Sequence, residues 1–350
     1  MPGAKHSHQT VCVTGAGGYI GSALVKALAR ERPGTLVLLD SCEYGLFEIQ
    51  RYMQAAHPEV YCEPALGSVG DDRLLDSLFT RFHPDAIFHA AAFKHVALAE
   101  RNPFAAISNN VLGTYALCQA ALRHGVAKLV FVSTDKAAYP QSVMGVSKRI
   151  AELLALAFSS AAFRVNAVRL GNVIGSTGSV IPLILEQAEK GETISVTHPE
   201  ATRYFLSLDQ TISAILAAGS CDCEGQVLLP EFGEPVRIAE LAAFLAGGSP
   251  IRFTGLRPGE KLREDLIGPD EEPMGIADGP LTVLNTRKLS RDDRENAVQR
   301  FSICIERRDM ASLIESLLWL VPEYQPSKLI EESAALGATI GAAIGTTLAR

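Results

Sequence analysis

The sequence predicts an α/β protein, a doubly wound parallel sheet with a smaller C-terminal part. Three observations predict it. A short apolar run, Thr10 to Thr14, passes through a glycine-rich turn into helical spacing. Further apolar runs recur along the chain, each separated from the next by a helical pattern. The second of these runs closes on a carboxylate, Asp40. Strands alternating with helices in this way build a parallel sheet covered on both faces.

The first run continues as Gly15-Ala16-Gly17-Gly18-Tyr19-Ile20-Gly21-Ser22 and then as Ala23-Leu24-Val25-Lys26-Ala27-Leu28-Ala29 at helical spacing. That is strand, glycine turn, helix. Glycines at 15, 18 and 21 permit a tight turn, close approach to a pyrophosphate and close helix-on-strand packing, while the helix N-terminus offers free N–H groups to phosphates. The run Leu36-Val37-Leu38-Leu39 ends in Asp40, about 20 residues on, where a carboxylate binds adenosine ribose hydroxyls and disfavours a 2′-phosphate. NAD is therefore expected over NADP. Runs follow at Val60-Tyr61-Cys62, Ala86-Ile87-Phe88, Leu129 to Val132 and Val165 to Leu170, with helical patterns such as Leu74-Leu75-Leu78-Phe79 among them. The set reads as a Rossmann-like dinucleotide-binding domain over residues 8–171. Right-handed crossovers put the strand ends on one side, so Gly15, Asp40, Ala90, Ser133 and Gly171 are expected to line one crevice.

At the end of the fifth run lies Ser133-Thr134-Asp135-Lys136, followed by Tyr139-Pro140 and then Met144 to Lys148 entering a helix. Hydroxyls, a carboxylate and an amine thus gather where ligands bind in open α/β sheets. A phenol four residues before Lys148 would read as a hydride-transfer site, but Met144 holds that position and a thioether exchanges no proton. Either other groups carry the chemistry, Asp135 and Lys136 being nearest, or the stretch is a binding relic.

Past Arg169 the pattern changes to a glycine-rich loop, Gly171 to Gly178, a helix over about Val180 to Lys190, and shorter apolar runs. Residues 172–325 read as a substrate-binding part with some segments returning to the main sheet, and 326–350 as a tail of unknown role. Within the tail, Ala334 to Leu348 reads as frayed.

The 47% hydrophobic and 20% charged fractions are those of a soluble globular protein, and a formal charge of -7 without a long basic run argues against nucleic acid as partner. Seven scattered cysteines lack zinc-site spacing, so no metal is expected, and they read as reduced thiols in a cytoplasmic protein. No stretch reaches the ~20 apolar residues of a membrane span, and no secretory signal is expected.

The chain resembles the extended short-chain dehydrogenase/reductases, and within them the nucleotide-sugar 4,6-dehydratases of polysaccharide biosynthesis that act on UDP-N-acetylglucosamine. The resemblance runs from about Val11 to Ile267 and rests on the Gly15 to Gly21 turn, His89 to Val96 with Glu100 and Asn102-Pro103, Asn110 to Thr114, and Ser133 to Ala137. It continues through Val143 to Arg149, Arg169 to Val173, Gly178 to Pro182, Thr197 to Pro199, Thr202 to Phe205 and Gly255 to Leu262. Residues 268–350 carry no matching motif. With Met144 at the tyrosine position, the chain resembles the soluble catalytic part of a methionine branch whose members are mostly membrane-anchored. It departs from the family at Tyr139, Ala97 and Ser68, the last at a position where many relatives place an adenine-binding aspartate.

The resemblance implies tightly bound NAD, recycled within each turnover, held by Gly15, Gly17, Gly18, Tyr19, Ile20, Gly21, Asp40, Ala90, Ala91 and Lys148. It implies a UDP-sugar held by Lys94, Asn172, Arg203, Arg257 and Glu260. His95 either contacts the sugar or is a hydrogen-bonded structural histidine. Thr134, Asp135, Lys136, Met144 and Lys148 form the expected catalytic set: Asp135, directly or through Thr134, takes the C4 hydroxyl proton and passes it to the C6 oxygen, and a neutral Lys136 takes the C5 proton. Tyr139 is the alternative phenol. The methionine branch implies retention at C5, and relatives imply a homo-oligomer paired through the segments Asn102 to His124 and Met144 to Phe158. The competing readings are a UDP-sugar 4-epimerase or 4-ketoreductase and, outside enzymes, an NAD-sensing regulatory protein.

Overall fold

The computed structural model describes residues 6–277 and 281–335. Six parallel strands form the heart of the sheet: β1 (Thr10–Thr14), β2 (Thr35–Asp40), β3 (Tyr61–Leu66), β4 (Ala86–His89), β5 (Lys128–Thr134) and β6 (Arg164–Leu170). Their spatial order is 3-2-1-4-5-6, the doubly wound arrangement the sequence predicts. Beyond β6 the sheet gains Val227–Pro230 in parallel, then Leu281–Asn285 and Glu272–Ala277 as an antiparallel edge hairpin, making nine strands.

Both faces are buried, which is why the strands read as unbroken apolar runs. Along β5, Leu129 and Phe131 enter the core on one face while Val130 and Val132 enter the core on the other. The edge strand β3 is half-exposed and runs on to Leu66 through Glu63 and Pro64, past the apolar stretch. Proline is tolerated at such an edge, where its missing N–H breaks no ladder on the outer side.

After β6 the chain forms small two-stranded pairings, Asn172–Val173 with Phe205–Leu206, Thr202–Arg203 with Val236–Arg237, and Ile194–Val196 with Ile251–Phe253. They surround a separate apolar cluster that includes Ile184, Ile194, Val196, Ile238 and Ala242. The helix Val143–Leu156 is buried along its whole length. Its Val146, Ile150, Leu153 and Leu154 pack with Phe301, Leu313, Leu317 and Leu320 from the helices Arg291–Arg307 and Met310–Leu320. The face expected to pair two copies is therefore covered by the chain's own C-terminal helices. Residues 328–335 are also helical, and Ile330 is buried beside Met144. Most of the stretch Ala334 to Leu348, read above as frayed, lies outside the described residues.

One expectation about thiols is corrected. Cys221 and Cys223 are joined by a disulfide, because the chain leaving the helix Leu208–Ser220 brings their Cα atoms to 5.3 Å with one residue between them. Cys12, Cys42, Cys62, Cys118 and Cys304 are free.

Candidate active site

The parallel registers bring the carboxyl ends of five strands to one side. Thr14 pairs with both Leu39 and His89, and Thr134 pairs with Leu170. The glycine turn after β1 is tightly packed: a Cβ on Gly21 would lie 1.9 Å from the Gly15 carbonyl oxygen, and one on Gly15, at φ +70°, would lie 2.7 Å from the Ala91 nitrogen. Gly18 caps the helix Tyr19–Ala29 without a side-chain hydrogen bond, so the first-turn N–H groups keep free donors. Asp40 ends β2, and its carboxylate accepts from the Gly17 and Cys42 N–H groups at 2.8 Å each. Tyr19 donates its hydroxyl hydrogen to the Ile174 carbonyl at 2.9 Å, tying the turn to the glycine-rich loop of the C-terminal part. Ser68 lines a hollow of about 630 Å³ with Gly70, Phe93 and Asn109.

Thr134 ends β5, and Asp135–Ala137 form a 3₁₀ turn directly after it. Asp135 is fully buried; its Oδ1 accepts from Thr134 Oγ1 at 3.0 Å and from Lys136 Nζ at 2.9 Å. Its Oδ2 and the Ser133 hydroxyl have no hydrogen-bond partner among the described residues. Lys136 also donates to Asn172 Oδ1 at 3.2 Å and lies 3.6 Å from Glu264 Oε1. Burial alone would lower the pKa of Lys136, but Asp135 and Glu264 outweigh it against a smaller opposing effect of Arg203, and the net shift is upward. Lys136 is therefore an ammonium here, which corrects the expectation of a neutral amine. Glu264, absent from the sequence-based set, follows the Gly255 to Leu262 motif and carried no pattern that marked it.

The neighbouring helix is pinned closely. Ser142 caps it by accepting from the Gly145 N–H, Glu100 accepts from the Val143 N–H at 2.6 Å, and a Cβ on Gly145 would meet the Lys136 carbonyl oxygen at 2.5 Å. Met144 sits in an apolar cluster with Ala99, Ala106, Val143 and Ile330. Asn110, in the π-helical turn Ser108–Leu112, donates to Ser147 Oγ at 2.8 Å and brackets the Phe93 backbone. π-Helical turns frequently mark functional sites, yet Asn110 entered the sequence reading only as part of a motif. His89 bridges Thr14 and Thr114, and burial, aided by Lys148, lowers its pKa to about 3.

Lys148 is buried, donates to the Val132 carbonyl at 2.7 Å and lies 3.9 Å from the Phe131 ring centroid. Burial lowers its pKa to about 7 against an opposing effect of Glu152. An unfolded lysine keeps its proton to about 10.5. Below pH 7 the folded protein thus bears the cost of a buried ammonium, and between the two values only the unfolded state holds the extra proton. Ligand-free stability is expected to gain a contribution from this residue as pH rises through that window, and Lys148→Met is expected to remove it. Denaturant unfolding of both proteins across the window checks this; parallel pH curves would contradict it.

The residues expected to hold the sugar nucleotide divide. Lys94 donates to the Thr177 carbonyl at 2.9 Å, and the His95 ring lies against Gly178, where a Cβ would come within 2.7 Å of Cε1. Burial lowers the pKa of each, with Lys94 adding to the shift at His95. Arg203 is occupied: it donates to the carbonyls of Thr202, Lys261 and Leu262, and its Nε is 3.5 Å from Glu264 Oε1. Arg257 is exposed, while Glu260 accepts from the Arg257 backbone N–H at 3.1 Å. Tyr139 is partly exposed, with Lys261 Nζ 5.7 Å from its ring centroid.

Strand order, glycine turn and helices on both faces define a Rossmann-like α/β fold, the fold of solved nucleotide-sugar dehydratases and epimerases. Residues 11–278 match the family described as polysaccharide biosynthesis protein, and the chain belongs to that family. It is 39% identical over 275 residues to the capsular polysaccharide biosynthesis protein CapD of Staphylococcus aureus, a match covering 76% of this chain and 46% of CapD. The chain thus spans about half the length of that relative. It is 34% identical over 272 residues to a UDP-glucose 4-epimerase of Rickettsia canadensis, covering 75% of this chain and 79% of the epimerase. Among solved structures, DesIV, a dTDP-glucose 4,6-dehydratase from Streptomyces venezuelae solved with NAD bound, superposes with a TM-score of 0.67 at 26% identity. That match covers 74% of this chain and 88% of DesIV. No helix among the described residues is long and apolar enough to cross a membrane.

Proposed function

We propose that the chain converts UDP-N-acetylglucosamine into a UDP-4-keto-6-deoxy-N-acetylhexosamine through an internal redox dehydration with NAD. The observation that carries the reading is the Asp135–Lys136 pair at the end of β5, joined at 2.9 Å, with a buried and unpartnered Asp135 Oδ2. An acid and a base side by side suit an elimination, in which one proton leaves carbon as another joins the departing oxygen.

The residues present fit a dinucleotide. The uncapped helix N-terminus after Gly18 suits a pyrophosphate, Asp40 suits the adenosine ribose, and the hollow beside Ser68 is within the size range of ligand clefts. Among the described residues Lys148 has a single hydrogen-bond acceptor, the Val132 carbonyl, leaving donors for the nicotinamide ribose. When bound, NAD would supply a hydride acceptor for C4 and a hydride donor for C6. Asp135, with Thr134 beside it, takes the C4 hydroxyl proton in place of the phenol that Met144 lacks. The 4-keto group acidifies C5, whose proton passes to Lys136 once that residue has given up its own, and Asp135 delivers the stored proton to the C6 hydroxyl, which leaves as water. Exposed Arg257 and Lys94 hold the diphosphate, and Arg203, committed to backbone carbonyls, holds the loop that carries Lys261 and Leu262.

Incubation with UDP-N-acetylglucosamine in deuterated water, followed by proton NMR, tests the reading. The expected product is a 4-keto-6-deoxy sugar carrying deuterium at C5, and its C5 configuration distinguishes retention from inversion. The identity to a UDP-glucose 4-epimerase favours one second reading, C4 epimerisation. A C4 epimer with no loss of water would establish that activity and displace the dehydratase.

A further inference from the structure

The dehydration leaves one buried carboxylate without a task. The Glu264 side chain is 2% exposed, with Oε1 3.6 Å from Lys136 Nζ and 3.5 Å from Arg203 Nε. Its Oε2 has no hydrogen-bond partner among the described residues. A buried acceptor without a donor forfeits its hydration, more so when charged, so a purely structural carboxylate is poorly served here. The same cluster poses a chemical problem. An ammonium at Lys136 cannot accept the C5 proton, and at that stage Asp135 already holds the C4 hydroxyl proton.

We propose that Glu264 stores the Lys136 proton during each turnover, freeing the amine to act as base at C5; this rests on the dehydratase reading. Glu264 acts through Lys136 and is a positioning residue. The charged and titratable groups facing the pair are Asp135 from the end of β5 and Arg203 from the C-terminal part, with the Asn172 amide oxygen also on Lys136.

The protons balance. At rest Asp135 and Glu264 are carboxylates and Lys136 an ammonium. Asp135 takes the C4 hydroxyl proton as the C4 hydride leaves to the nicotinamide cofactor, which removes one of the two negative charges holding Lys136 protonated. Facing ions in a water-poor site can neutralise each other by passing one proton, so the Lys136 proton moves to Glu264. A closing of roughly 0.7 Å brings the two atoms to hydrogen-bond distance. Lys136 then takes the C5 proton, and Asp135 gives its proton to the C6 hydroxyl as the C6–O bond breaks. Hydride returns to C6, Lys136 returns a proton to C5, and Glu264 returns the stored proton to Lys136. Substrate has become keto sugar and water, and every group is restored.

Glu264→Gln keeps the shape and removes the store, and Glu264→Asp keeps a carboxylate. In ligand-free protein with ¹⁵N-labelled lysine, Lys136 is expected to titrate at lower pH in the Gln variant, since a negative partner is gone. In deuterated water the wild-type C5 exchange is expected to be flat across the neutral range. The Gln variant is expected to exchange about 10²-fold more slowly at neutral pH. It should recover by about tenfold per pH unit as Lys136 loses its proton to solvent instead, while Glu264→Asp restores the flat profile. A Gln profile parallel to wild type, or an Asp variant that behaves like Gln, would overturn the proton store and leave the dehydratase standing. Absence of any keto product from wild type overturns both. Should the Gln variant fail to fold, the comparison of wild type with Glu264→Asp decides: a flat profile in both supports the store, a sloping one in the Asp variant refutes it.

Discussion

Replacing Glu271 by Ala is expected to destabilise the protein by about 3–5 kcal/mol at neutral pH, the cost of breaking a buried ion pair from one side. Arg149 and Arg169 are fully buried, and so are the side chains of Glu152 and Glu271. Arg169 donates to Glu271 Oε2 at 2.7 Å and to Glu152 Oε2 at 2.8 Å, while Arg149 donates to Glu271 Oε1 at 2.6 Å and to Asp270 at 2.8 Å. Glu271 also accepts from the Gly268 N–H at 2.6 Å. Without it two buried guanidiniums would share chiefly Glu152, and the segment carrying Glu264 would be held to β6 and to the helix Val143–Leu156 through the Leu266 carbonyl on Arg169 and Asp270 on Arg149. Burial alone would raise the Glu271 pKa, but Arg169, then Arg149 and the Gly268 N–H, outweigh it and bring it to about 2. A depressed carboxylate stabilises fully above its unfolded value near 4.5 and loses that contribution as pH falls toward 2. Urea unfolding of wild type and variant should thus show a gap that is full at neutral pH and narrows below about 4.5. A neutral-pH difference under about 1 kcal/mol would show that the network contributes little to stability.

That network also marks where sequence reading stops. The strands were legible because burial on both faces writes an apolar run, and β3 was shortened only because an edge strand tolerates Glu63 and Pro64. Strand-end position brought Asp135, Lys136 and Asn172 into one neighbourhood, and the structure joins them by hydrogen bonds. Charge state was not legible. Whether Lys136 is ammonium or amine depends on Asp135 and, after it, on Glu264, which lies far along the chain in a segment with no helical or strand periodicity, so only the tertiary fold sets Glu264 3.6 Å from Lys136. Arg203 shows the same limit, since a motif records the residue but not that its donors are spent on the carbonyls of Lys261 and Leu262. The covered face of Val143–Leu156 was missed for a different reason: apolar stripes predict that a partner exists, and a second copy and a later helix of the same chain satisfy them equally.

Asp135→Asn and Lys136→Ala are each expected to lower dehydration by about 10²–10⁴-fold, the range that a positioned acid or base contributes. The two losses should fall at different steps. Asn at 135 keeps the shape beside Thr134 and Lys136 but accepts no proton, so turnover should stop before C4 is oxidised and no ketone should be trapped by borodeuteride. Ala at 136 leaves Asp135 able to take the C4 proton, so a 4-keto sugar that keeps its C6 oxygen should be trapped, with no deuterium entering C5. Lys136→Ala also strips the cation from between Asp135 and Glu264, leaving two buried carboxylates, with Arg203 beside Glu264 to offset them in part. Its fold should therefore be checked first by retention of bound NAD. Trapped ketone from the Asp135→Asn variant would move the C4 proton acceptor elsewhere, with the phenol of Tyr139 next in line. Deuterium at C5 in the Lys136→Ala variant would make Lys136 a structural counter-ion, and the base would then have to be one of the two carboxylates it now separates.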